Sequence, residues 1–268
     1  MNIVVLSALN RPAPIYITDR LRSAFSDLRT IQIVWKSKKR STGKRLNDIS
    51  PARVLHHFNY RFQSRRGKRL GGQIREHLFG DGAEPTIPVD VRMISSALGT
   101  EEGIDTIRAL EPDILVLCVA PIIPPEVFSI ARLATVNIHF GIAPEYRGEH
   151  TLFWPLYYRD YDHIGITLHH VNKGIDAGNV LARGYPSLAG DDTEATIWAK
   201  CSRLAADLAT DFLRTAGNGH IEGLKQTAKG RLFLRKYRKT PHDLRYQTRR
   251  AVLRERLPEL PQRIEKYF

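Results

Sequence analysis

Short apolar or alternating runs take turns along this chain with stretches whose apolar positions recur at helical spacing. "NIVVLSAL" (2–9), "TIQIVWK" (30–36), "TIPVDVR" (86–92) and "DILVLCVA" (113–120) are rich in Val and Ile and predict strands. Ile17, Leu21, Phe25 and Leu28 predict a helix over 15–28, and "EEGIDTIRALEP" (101–112) predicts another that Pro112 stops. "ATVNIHF" (134–140) and "HIGITLHHV" (163–171) predict two further strands. The clearest helix is predicted over 193–216, where Ile197, Cys201, Leu204, Leu208 and Phe212 form one stripe, Asp192 or Thr193 caps the start and Gly217 marks the stop. This alternation predicts an α/β fold, a mostly parallel twisted sheet with helices on both faces, closing near residue 216. Residues 36–85 are too polar and too long for a simple connection, so they are read as an insertion with helix around "ARVLHHFNYRF" (52–62). Residues 217–268 form a short C-terminal appendage, and no internal repeat is visible.

Charge changes this picture because of where it sits. The net charge is +13, yet residues 36–85 carry 13 Lys/Arg against 4 Asp/Glu and residues 225–268 carry 14 against 4, which leaves a slightly acidic body with two basic attachments. Such attachments are either solvated surface or a means of holding phosphates, nucleic acid or an anionic membrane surface. The two cysteines, Cys118 and Cys201, cannot make a disulfide framework or a zinc site alone, and their apolar neighbours point to buried thiols in a reducing cytoplasm. "IVVLSAL" has no basic segment before it and is far shorter than the roughly 18 apolar residues of a membrane span. No transmembrane segment is expected.

Candidate chemistry concentrates in "VNIHFGIAPEYRG" (136–148). On an extended segment Asn137 and His139, two positions apart, face the same way and can reach one point together. A second cluster lies in "GITLHHVNKGIDAGNVL" (165–181). The pairs His56–His57 and His169–His170 suggest no metal site, since adjacent side chains on a strand point to opposite faces and no Cys or acidic partner has ligand spacing.

Residues 113–180 resemble the folate-dependent formyltransferases, the group of glycinamide ribonucleotide transformylase, methionyl-tRNA formyltransferase and the sugar N-formyltransferases. The resemblance rests on the joint spacing of Asn137, His139 and Pro144, of "YRG" at 146–148, of Asp176 before Gly178, and of "CVAPIIPPEVF" (118–128) after the preceding strand. It implies a Rossmann-like formyltransferase domain over 1–216 with catalytic Asn137, His139 and Asp176. It further implies that the donor, 10-formyltetrahydrofolate, rests against Pro121, Ile122, Ile123, Lys173, Gly174 and Ile175, with His169 on the folate side. Tyr146, Arg147 and Asn10 are the implied substrate contacts, although capping a loop is an equal role for Tyr146 and Arg147.

The residues also suit that chemistry on physical grounds. Formyl transfer to an amine passes through a tetrahedral carbon bearing an oxyanion and a protonated nitrogen, so the site needs donors at the oxygen and a route for the proton. Asn137 offers amide N–H donors, and a charged or nearly charged His139 oriented by Asp176 offers another donor and an exchangeable proton. Gly141, Gly148, Gly174 and Gly178 permit tight turns and close backbone approach.

Departures narrow the acceptor. Phe140, Gly141, Ile142 and Ala143 replace the usual serine and leucines of the loop, and "LSALNRPAP" (6–14) has no glycine with which to wrap a phosphate, which disfavours glycinamide ribonucleotide. Only 52 residues follow Ala216, too few for a barrel domain of roughly a hundred residues. The favoured partner is a small anionic amine such as a nucleotide-linked amino sugar. Two alternatives stay open. One is the same chemistry on an amino acid, a hydroxylamine or an aminoacyl-tRNA. The other is a non-catalytic nucleic-acid or membrane-surface binding protein on this fold, kept in view by the aromatics interleaved with charge in "HHFNYRFQSRRGKR" (56–69).

Overall fold

The computed structural model describes residues 1–35, 51–217 and 221–268, with side chains omitted for 51–56. In chain order the elements are β1 (Ile3–Ser7), α1 (Pro12–Ala24), β2 (Arg29–Val34), α2 (Pro51–Phe79), β3 (Val91–Ile94), α3 (Glu101–Arg108), β4 (Ile114–Cys118), α4 (Pro125–Phe128) and β5 (Ala134–His139). Then follow β6 (Tyr146–Gly148), α5 (Phe153–Tyr158), β7 (Ile166–His170), β8 (Val180–Tyr185), α6 (Glu194–Ala216), β9 (Arg231–Phe233), α7 (Thr240–Gln247) and β10 (Arg263–Lys266).

Eight strands form one sheet in the order β10-β8-β7-β5-β4-β1-β2-β3. β1 to β5 are mutually parallel, while β7, β8 and β10 extend the sheet by antiparallel pairing. β1, β4 and β5 at the centre are buried on both faces, as their nearly continuous apolar runs require. Ile3 and Val5 of β1 join one core with α1 and α6, whereas Val4 and Leu6 join the other with α3 and α4. Both cysteines are free and buried, and burial pushes the Cys118 thiol up to about 12.

Local chemistry sets the boundaries. α1 begins at Pro12, three residues before the periodic stretch, because proline at the first helical position gives up an N–H that has no helical partner there. α6 starts at a reciprocal cap in which the Thr196 N–H donates to Thr193 Oγ1 at 3.2 Å and the Thr193 N–H to Thr196 Oγ1 at 2.8 Å. β3 occupies 91–94 rather than the whole of 86–92. Pro88 has no donor for a ladder, and pairing with β2 begins only beyond Asp90, whose carboxylate and N–H both engage the Thr30 backbone.

The described part of the insertion is dominated by α2, a 29-residue helix packed against α1 and α6 and much longer than the segment 52–62. Residues 36–50 lie outside the described residues. The chain beyond 217 is woven into the body: β9 pairs with β6, α7 packs near α2, and β10 becomes the sheet edge beside β8. Among the described residues no helix is long and apolar enough to cross a membrane.

Candidate active site

The C-terminal end of β5 carries the site. Asn137 and His139 share a face, and the antiparallel ladder sets His169 of β7 directly opposite Asn137 and Thr167 opposite His139. Thr167 Oγ1 donates to the Gly141 carbonyl at 2.7 Å and accepts the Ala143 N–H at 3.0 Å, which fixes the start of the loop between β5 and β6. The peptide bond before Pro144 is cis.

Asp176, in the loop after β7, comes up to this face. Its Oδ2 lies 3.4 Å from His139 Nδ1 and accepts the Gly148 N–H at 2.8 Å. Its Oδ1 lies 3.4 Å from His169 Nε2 and 3.3 Å from Asn137 Nδ2, which also approaches His169 Nε2 at 3.2 Å. Asp176 holds φ at +47°, a strained setting for a non-glycine residue. Two glycines allow the approach. A Cβ on Gly178 would stand 1.8 Å from the His170 carbonyl oxygen, and Gly148, at φ +93°, would carry one 2.1 Å from the Phe233 oxygen.

Hydrogen-bond roles follow from carbonyls being able only to accept. His139 Nε2 is 2.8 Å from the Tyr146 carbonyl and His169 Nδ1 is 2.7 Å from the His170 carbonyl, so each of these nitrogens carries a proton. In the neutral rings His139 Nδ1 and His169 Nε2 are therefore bare, and both face the carboxylate of Asp176. Burial pushes the His139 imidazole down by more than the nearby Asp176 lifts it, which favours the neutral ring. For Asp176, burial alone pushes the carboxyl up, but the charge of His139 once that ring is protonated, the neighbouring His169 and the Gly148 N–H outweigh it and hold it well below the usual carboxylate range.

The remaining candidates fall in different places. Tyr146 is buried, its ring stacks on Phe233 with centroids 5.5 Å apart, and its hydroxyl donates to Asp160 Oδ2 at 2.8 Å. Arg147 donates to the carbonyls of Gly230 at 3.2 Å and Ile175 at 3.5 Å and leaves Nε without a partner among the described residues. Pro121 is half-buried and Ile122 is 80% exposed, whereas Ile123 packs into the core beneath β4. Lys173, Gly174 and Asn10 are exposed and Ile175 is half-buried. Neither Thr167, two residues before His169 on the same strand face, nor Gln226, whose side-chain amide donates to the Asp176 and Gly178 carbonyls, stands in a local motif.

The fold and this face define an α/β protein with an Asn, a His and an Asp gathered at the end of a central strand. The profile of the formyl transferase family matches residues 1–211, and the chain belongs to that family. A methionyl-tRNA formyltransferase from Chlorobium limicola is 30% identical over 125 residues, 47% of this chain and 39% of that protein. The chain spans under half the length of the curated relatives it matches first. A sugar N-formyltransferase from Shewanella sp FDAARGOS_354 has the same fold with a TM-score of 0.57 at 15% identity, covering 88% of this chain and 78% of that one. A phosphoribosylglycinamide formyltransferase from Anaplasma phagocytophilum aligns with a TM-score of 0.53 at 16% identity, over 87% and 97%.

Proposed function

We propose that this protein transfers a formyl group from 10-formyltetrahydrofolate to the primary amine of a small anionic acceptor, such as a nucleotide-linked amino sugar. The observation that carries the reading is the convergence of Asn137, His139 and His169 on the two oxygens of Asp176 within 3.4 Å, in a chain of the formyl transferase family. The amine attacks the formyl carbon, the new C–N bond forms, and the bond to N10 of the folate breaks as that nitrogen takes a proton. The amine loses one proton and the folate gains one, so the site has to accept a proton and return it.

His139 Nδ1 and Asp176 Oδ2 provide the place. Neither atom carries a proton in the neutral resting pair and they lie 3.4 Å apart, so a proton arriving from the amine is shared between them and the pair draws together. Asn137 supplies donors to the developing oxyanion. Its amide contacts in the resting site, at 3.2 and 3.3 Å, are long for hydrogen bonds and cost little to exchange for a charged oxygen. The apolar faces of Pro121 and Ile122 and the exposed loop at 173–175 are where the folate ring is held.

The acceptor's negative charge is argued from the neighbourhood of β6. Burial and the neighbouring charge of Arg235 push the Arg11 guanidinium below its ordinary value, and Glu149 offsets only part of this. His150, two residues beyond Gly148, is pushed down to about 4, first by burial and then by Arg66, Arg235 and Arg11 around it. A phosphate-bearing acceptor offsets that repulsion. One observation favours a second acceptor class, an aminoacyl-tRNA: the basic stretches 36–85 and 225–268 are extensive enough for several phosphates.

Calorimetric titration with 5-formyltetrahydrofolate tests the donor. Saturable binding is expected, and no binding at high micromolar ligand overturns the enzyme reading. A formylation screen with dTDP- and UDP-amino sugars alongside methionyl-tRNA then separates the acceptors, and steeply salt-dependent tRNA binding with no sugar turnover would decide for the second class.

A further inference from the structure

The backbone of the Asp176 loop is held by a segment from beyond residue 217. Leu224 bridges to Val180, with N–H to carbonyl bonds in both directions at 2.7 and 2.8 Å. Two residues later Gln226 Nε2 donates to the carbonyls of Asp176 at 3.1 Å and Gly178 at 2.7 Å. The segment then passes under the loop before β6, where a Cβ on Gly230 would stand 1.5 Å from the Pro144 oxygen, and reaches β9, which pairs with β6. Leu224, Gln226, Gly230 and β9 all lie outside the 1–211 match to the family.

Asp176 needs such a hold. Its φ of +47° is unfavourable, and its Oδ atoms have to meet His139, His169, Asn137 and the Gly148 N–H at once. A peptide in that region returns to an ordinary conformation unless its neighbours over-determine it, and rotation of the 176–178 peptides would carry the carboxylate away from the imidazoles. Gln226 ties the carbonyls on both sides of Ala177 with a single amide nitrogen, which blocks that rotation while its own side chain touches none of the reacting groups.

We infer that Gln226 is a positioning residue for Asp176, holding the strained 176–178 backbone so that the carboxylate stays on His139 and His169. The inference rests on the formyl-transfer reading for its catalytic consequence, but its geometric content does not, so the two can be tested apart.

The experiment follows the ring-nitrogen resonances of His139 and His169 by NMR against pH in the full chain, comparing the parent with Gln226→Ala, Gln226→Glu and Gln226→Lys and with Asp176→Asn as reference. Lysine keeps N–H donors at similar reach and glutamate keeps the shape without them. Loss of the carboxylate removes an influence that raises the His139 midpoint, so Gln226→Ala should move it downward, toward the Asp176→Asn value; glutamate and lysine add direct charge shifts of their own, upward and downward, so that pair is compared by kcat, which lysine should keep near the parent value and glutamate should not. Melting temperature and 5-formyltetrahydrofolate affinity, measured on the same samples, should stay within about threefold in Kd and a few degrees, as for a surface substitution. With the amine that the acceptor screen returns, kcat should fall about ten- to a hundredfold in the alanine and glutamate variants with KM for the folate little changed. Coincident titration curves for the parent and Gln226→Ala, with Asp176→Asn displaced, would overturn the inference, as would a lysine variant whose kcat falls as far as that of alanine. If the alanine variant does not fold, the glutamate and lysine pair decides alone. Absence of folate binding in the parent would count against the formyl-transfer reading and leave the titration result standing.

Discussion

Two places in this molecule bury carboxylates beside nitrogen bases, and they are built on opposite terms. Under α6, Arg238 donates bidentately to Glu194 at 3.0 and 3.1 Å and also to Asp243 Oδ1 at 2.7 and 3.0 Å, while Arg66 of α2 reaches the same two acids. Arg238 lies 3.3 Å over the Phe153 ring, and Glu194, Asp243 and Phe153 around it are almost fully buried. The cations there are permanent, two against two acids, so the cluster presents no unpartnered base, and the proton it can exchange is that of Glu194, which burial pushes up to about 7. At Asp176 the bases are imidazoles whose protons are already given to backbone carbonyls. That carboxylate is stabilised by weaker, longer contacts and sits beside two bare nitrogens. Saturated pairing fastens α2, α6 and α7 together. Incomplete pairing leaves a place for a proton.

The contrast can be broken experimentally, beginning with its largest consequence. Arg238→Met removes a buried partner and leaves acids uncompensated, so urea unfolding should report a loss of about 3–5 kcal/mol. An unchanged midpoint would mean that the cluster does not fasten these helices. Asp176→Asn should act on the other quantity. Asparagine tolerates positive φ, so folding should be largely retained, while single-turnover formyl transfer should fall about a hundredfold or more. His139→Asn should lose a similar factor and the double variant far less than the product, because the two act as a unit. Near-parental turnover by Asp176→Asn would require another base.

The smallest effect lies in the pH dependence of stability, where the two regions have opposite signs. Burial pushes Glu194 up to about 7, so between about pH 4.3, the unfolded value, and that point the folded chain keeps a proton that the unfolded chain has released. Stability from this group is present at low pH and is lost as pH rises through that window. Asp176 is held low, so its contribution is present above about pH 3.9 and is lost as pH falls below it. Urea titrations of Glu194→Gln should flatten the upper slope and those of Asp176→Asn the lower one. The same slope in the parent and in Glu194→Gln would show that other groups govern the upper limb.

Much of this architecture is legible in the chain itself. The Val- and Ile-rich runs place β1, β2, β4, β5 and β7, and the stripe from Ile197 to Phe212 with Thr193 before it places α6, because local propensity and burial agree at those positions. Asn137 and His139 are legible as a pair because strand periodicity is short-ranged. What the sequence conceals is long-ranged. The three-residue strands β6 and β9 have no periodicity to detect, and β10, "RIEK", is polar because it is a sheet edge. The role of Tyr146 is equally hidden, since the residue that engages its hydroxyl, Asp160, belongs to no motif. The resting charge of His139 depends on how deeply the ring is buried, which no local pattern encodes.

The pairing of β6 with β9 also sets an order of events. Gln226 reaches Asp176 across 50 residues of chain, and Arg147 reaches Gly230 across 83. Both contacts wait for residues that are synthesised after every strand of the parallel sheet and after α6. On a ribosome the parallel sheet can therefore assemble while the carboxylate loop is still unbraced, and the chain becomes competent only after residue 233 has emerged.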